Sequence, residues 1–230
     1  MPGMRADSLA IETLVSRFPR LMLVALISGS LAGLFLFALQ HFTIVPLIEK
    51  AETYEAAHDE HEWTPAEGWE RTSFTALANM LTGIGFAAIL FGFISFSGAP
   101  VNPRSGILWG LGAFVCFHLA PALGLPPQPP GTAVAGLRER QIWWAGTAIA
   151  TALGLWLLWA PGKRWMLRVA AIPCLALPHL IGAPVATGQN AVPIPLIRQF
   201  EVASLATTGI FWLLLGTIGG FLWNRGKAGP

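Results

Sequence analysis

The chain has 230 residues, of which 54% are hydrophobic and only 11% charged, with a mean hydropathy of +0.59; soluble domains are about a quarter charged. A formal net charge of +2 built from scattered basic residues argues against a nucleic-acid surface, which needs a clustered basic patch. The composition is that of an integral membrane protein.

A helix needs roughly 20 apolar residues to cross about 30 Å of hydrocarbon, and six runs qualify as candidates: 21–46, 73–97, 105–125, 142–160, 169–186 and 202–223. None holds an Asp, Glu, Lys or Arg between its end residues. Hydrocarbon cannot satisfy a free backbone N–H or C=O, so helices are expected, and the alternating polarity of a barrel strand is missing. The predicted fold is a single all-α membrane domain over 1–230, a polytopic bundle of six transmembrane helices.

The first run follows Arg17-Phe-Pro-Arg20 and is longer than the apolar part of a signal peptide. It reads as a retained helix, with cleavage after Ser30 as the alternative. Next comes a polar insert at 47–72, which holds eight of the twelve carboxylates and two of the five histidines. The fourth run is preceded by the Pro-rich stretch 124–131, GLPPQPPG, expected to be stiff and extended. Within the fifth, Pro173, Pro178 and Pro184 each remove a backbone donor. That run reads as broken or re-entrant, and five crossings are the alternative to six. A second Pro-rich loop, 182–198, leads to the last run.

Positive residues favour the cytoplasmic side of short loops. With the N-terminus inside, six spans put Arg5, Arg17, Arg20, Arg104, Lys163, Arg164, Arg168, Arg225 and Lys227 inside, against Lys50, Arg71, Arg138, Arg140 and Arg198 outside. The acidic insert then faces the exterior, together with both Pro-rich loops. Trp143, Trp144, Trp159, Trp165 and Trp223 lie near span ends and read as headgroup anchors. Glycines four apart at Gly29 and Gly33, Gly106 and Gly110, and Gly216 and Gly220 suit close helix packing, with a homo-oligomer as a further use.

Two histidine groups carry the candidate chemistry. His58 and His61, with Glu55 and Glu62, fall on neighbouring turns if 54–62 is helical, and their mixed imidazole and carboxylate set suits Co²⁺, Ni²⁺ or Zn²⁺. The plainer reading is a solvated acidic loop. His118 and His179 lie inside apolar runs beside Pro121 and Pro178. Intramembrane polar residues commonly line a pathway, and a proline frees carbonyl oxygens that coordinate cations in broken helices. Set against this is a neutral histidine bonded to a neighbouring helix. His41 reads as interfacial. Cys116 and Cys174, both in apolar runs, behave as small hydrophobes. No carboxylate sits within a span, no phosphate-cradling Gly-rich Lys motif occurs, and no nucleophile can be selected, so the chain does not read as an enzyme and no resident cofactor is expected.

The segments 45–55 (VPLIEKAETYE), 67–87 (EGWERTSFTALANMLTGIGFA), 106–114 (GILWGLGAF), 119–131 (LAPALGLPPQPPG), 140–144 (RQIWW) and 178–184 (PHLIGAP) together resemble the CbtA family of probable cobalt transporter subunits. The resemblance implies a bacterial inner-membrane protein acting in Co²⁺ uptake linked to cobalamin synthesis. It implies as partner CbtB, a small single-span protein with a histidine-rich terminus. Such families are commonly described with five membrane segments. The expected function is therefore a cobalt permease subunit in which the outer loop gathers the ion and His118 and His179 line its path. The alternative is a non-transporting membrane scaffold that assembles a partner complex.

Overall fold

A computed structural model describes residues 3–54, 65–66, 68–159, 165–188 and 190–225, with side chains from residue 18 onward. The described residues are helical, with no strand: α1 (Gly3–Thr43), α2 (Val45–Glu52), α3 (Trp69–Ser97), α4 (Pro103–Phe114), a π-helical turn (Val115–Leu119), α5 (Ala120–Ala122), α6 (Leu137–Trp159), α7 (Trp165–Ile181) and α8 (Ile194–Arg225). Five stretches are long and apolar enough to cross a membrane: Phe18–Thr43, Trp69–Ser97, Pro103–Ala122, Leu137–Trp159 and Ile194–Arg225.

The predicted fifth span is α7. Pro173 and Pro178 lie inside it without ending it, and it runs unbroken until Gly182, whose φ of 86° places it in the left-handed region that commonly closes a helix. Its 17 residues rise about 26 Å at 1.5 Å each, so α7 is a shorter apolar helix beside the five long ones. The expected break is corrected: hydrocarbon penalises an opened backbone more than it penalises one missing N–H that neighbouring groups can replace.

The chain divides into two compact units. The first comprises Met1–Ala38, Thr64–Leu111 and Ile210–Pro230, and its helices meet through glycine. A Cβ on Gly29 or Gly33 would strike the α3 backbone at Gly83 and Ile84 or at Asn79 and Met80. Likewise, Gly106 and Gly110 face the carbonyls of Gly216 and Trp212 on α8, and Gly220 faces that of Asn102. All three glycine pairs are thus filled by helices of the same chain. Asn102 caps α4, its Oδ1 accepting from the N–H of Arg104 (2.9 Å) and Ser105 (3.0 Å), while Ser105 Oγ accepts from the Asn102 N–H. Pro103 at the first helical position fits that cap, having no N–H to leave unpaired.

Trp223 is 5% exposed, stacked on Phe91 with ring centres 5.7 Å apart. This corrects its reading as a headgroup anchor: the indole is core. Trp159 and Trp165, at 77% and 68% exposed, fit that role.

The second unit comprises Leu39–Trp63 and Gly112–Gly209. Here α6 and α7 pack along one another. Gly154 meets Leu175 and the Ala171 carbonyl, whereas Trp143 reaches Pro178 and His179. Rising numbers on α6 meet falling numbers on α7, so the two are antiparallel and α7 climbs back to the level of Trp143.

Candidate functional site

The site is built from proline outward. Pro121 has no N–H, so the bond a regular α-helix would send to the Phe117 carbonyl, four residues back, cannot form. The helix here adopts the π-turn Val115–Leu119, with the Ala120 N–H reaching Val115 O; such turns concentrate at functional sites. Trp144 on α6 supplies a replacement donor, its indole N–H giving to Phe117 O at 3.1 Å. His118 sits on this turn, half-buried and stacked on Phe114 at 6.3 Å and 14°.

One residue earlier on α6, a second indole meets a helix carbonyl. Trp143 donates its indole N–H to the carbonyl of Pro178 at 3.3 Å, an oxygen that also accepts the Gly182 N–H at 3.1 Å. The next residue, His179, is half-buried and meets the Trp143 ring edge-on at 6.0 Å. His118 and His179 therefore each adjoin a carbonyl held by one of two consecutive tryptophans. Gly124 keeps this region tight, because a Cβ there would run into the Trp143 ring and Ala183. The two tryptophans, predicted to be lipid anchors, are hydrogen-bond donors to helix carbonyls. Sequence reasoning missed this, although Pro121 four residues after Phe117 was the available signal.

The loops predicted to share one face converge within the second unit. The Ala133 N–H donates to Asn190 Oδ1 at 2.9 Å, tying the first Pro-rich connector to the second. Ala51 of α2 packs with Val192 and Leu196 in a small buried cluster, flanked by Leu47 and Ile197. The residues that lead into the acidic insert thus rest on the last loop. Glu55, His58, His61 and Glu62 lie outside the described residues, as does the predicted helix over 54–62 beyond Tyr54. Among the described residues no three His, Cys, Asp or Glu side chains gather as a metal cluster. His41 is exposed, edge-on to Phe42. Cys116 and Cys174 are free thiols.

Five apolar helices long enough to span, with a shorter apolar helix beside them, define a multi-pass helical membrane protein. The family model for the probable cobalt transporter subunit, CbtA, matches residues 18–224. The chain belongs to that family, and as a transporter subunit it works with a further component. No match is found among curated proteins or among solved structures.

Proposed function

We propose that the chain is the permease subunit of a bacterial inner-membrane Co²⁺ uptake system, with its N-terminus cytoplasmic, and that cobalt passes as cargo near His118 and His179. The observation that carries this reading is the paired arrangement on α6: two consecutive indoles, each bonded to a carbonyl beside an intramembrane histidine. Imidazole is a fitting ligand for Co²⁺, with Ni²⁺ and Zn²⁺ as competitors. The Phe117 carbonyl oxygen keeps a second lone pair after accepting its indole, so it can share in replacing hydration water, as carbonyls do in channel filters, whereas the Pro178 oxygen already accepts two donors.

The outer insert, with Glu55, His58, His61 and Glu62, concentrates the cation by its negative field, an effect that salt weakens. Its attachment through Ala51 to the loop at Val192 and Leu196, in the unit that also holds both histidines, supports a hand-over from insert to span. The partner is a small single-span, histidine-rich CbtB-like protein. No catalytic step is needed for this role.

The test is cobalt accumulation in cells carrying this chain and its partner. Exchanging His118 or His179 for Ala should lower initial uptake on the order of tenfold, the usual scale for lost metal-site contacts, with the protein still present in the membrane. Uptake equal to the parent in both variants removes the route. A purified chain that holds its partner but moves no cobalt when the two are reconstituted together would instead favour the non-transporting scaffold.

A further inference from the structure

The last apolar run of the sequence begins at 202, but α8 itself begins at Ile194, so this continuous helix carries a single carboxylate, Glu201. α8 lies antiparallel to α4: Gly106 faces Gly216, Gly110 faces Trp212, and a Cβ on Gly209 would meet the Phe114 ring at 3.6 Å. His118 stacks on Phe114 and lies about one turn, roughly 5 Å, beyond it toward the loops. Glu201 precedes Gly209 by two turns in that same direction, about 12 Å at 1.5 Å per residue, which sets it about 7 Å past the level of His118. Further along, Leu196 packs with Ala51 and Val192, where the helix leading into the acidic insert is seated. Within the second unit, Glu201 therefore occupies the level between that cluster and His118. Its side chain is half-buried, and among the described residues its carboxylate makes no hydrogen bond or ion pair. Arg198, one turn away on α8, is exposed and not paired with it. Ser204 and Thr208, one and two turns along α8 from Glu201, are half-buried, and the Thr208 hydroxyl gives to Ser204 O at 2.7 Å.

We propose that Glu201 is a staging ligand for the divalent cation, receiving it on the loop side of His118 before the imidazole does. This rests on the reading that cobalt passes near His118, and adds the carboxylate that the apolar runs left out. A carboxylate drawn partly out of water without a partner is costly, and ionisable groups at membrane depth mark ion pathways; a cation beside it offsets that cost. Carboxylate oxygen followed by imidazole nitrogen suits a first-row divalent ion of intermediate hardness. Hydroxyl oxygens keep acceptor lone pairs after donating, so Ser204 and Thr208 add weak oxygen contacts on the way inward. One carboxylate leaves the ion largely hydrated. That matches a transit position, where binding must be favourable enough to enter and weak enough to leave.

Initial uptake would be measured against external Co²⁺ in cells carrying the chain and its partner, for the parent, Glu201→Gln, Glu201→Asp and His118→Ala. Glu201→Gln should raise the half-saturating concentration on the order of tenfold, the scale of a lost metal-site contact, with the maximal rate near the parent's. Glu201→Asp keeps the charge and should retain most of the affinity. Parent-like half-saturation in Glu201→Gln beside an impaired His118→Ala overturns the staging ligand and leaves the route standing, whereas parent-like uptake in both counts against the route itself. A lower maximal rate at unchanged half-saturation also overturns the proposal. Thermal unfolding of the purified full chain in detergent separates a ligand from a strut: without metal, Glu201→Gln should melt no lower than the parent, and Co²⁺ should raise the parent's Tm more than the variant's. A lower metal-free Tm in Glu201→Gln would show a carboxylate bonded within the protein, and would also sink the idea.

Discussion

Three of the buried hydroxyls in the helices bond back into their own backbone. Ser28 gives to Val24 O at 2.6 Å, Thr147 to Trp143 O at 2.8 Å and Thr207 to Ala203 O at 2.9 Å. Each satisfies its donor locally, so these three positions carry polarity without needing water. At the same scale, glycine is selected by backbone contact at a few positions only. Gly106 and Gly216 each face the other's carbonyl, whereas Gly85 and Gly92 have open space where a methyl group would go. Gly216→Val should therefore cost at least about 2 kcal/mol, since overpacking against backbone has no side chain that can move aside. Gly92→Ala should be neutral or stabilise by up to about 1 kcal/mol through helix propensity. Reversible unfolding in mixed micelles separates the two, and equal effects would refute the backbone crossing.

The decisive device among the elements is the pairing of a proline on one helix with an indole on the next. If Trp144 replaces the donor that Pro121 removes, Trp144→Phe should destabilise by about 1 kcal/mol, the net worth of a hydrogen bond. Pro121→Ala restores a backbone N–H four residues after Phe117, so the same Trp144→Phe change made in that background should cost less than half as much. A double-mutant cycle measures the coupling, and strict additivity would show that the two groups do not serve the same carbonyl. The segment 115–119 also shows why helix content was legible while helix type was not. Apolar length announces a span, but the indole that meets Phe117 O lies 27 residues away at Trp144.

For the whole molecule, the question is how often the chain crosses. α7 is short, yet it runs antiparallel to α6 from the level of Gly154 to that of Trp143, which supports a sixth crossing. Single cysteines at Thr53 and Thr187, introduced after Cys116 and Cys174 are replaced by Ala, should both react with a membrane-impermeant maleimide from outside intact cells. A cysteine at Ser97 should react only after permeabilisation. Labelling of positions 53 and 187 from opposite sides would leave α7 as a re-entrant element and the crossings at five.

The sequence alone determined the solvent and the class. Six long runs without a single formal charge point to hydrocarbon, hydrocarbon admits only structures that close their own backbone bonds, and segments such as LPPQPPG, RQIWW and PHLIGAP carried the family. It also placed His118 and His179 beside prolines. Tertiary structure decided what those prolines do: α7 stays helical through two of them, and the carbonyls at Phe117 and Pro178 are met by Trp144 and Trp143. It likewise turned Trp223 from an anchor into core and matched each glycine pair to its partner helix. The physical reason is one of range. Burial in lipid is written into composition and local period, whereas the partner that satisfies a freed carbonyl, or fills the space over a glycine, comes from a distant part of the chain and exists only once the helices have packed.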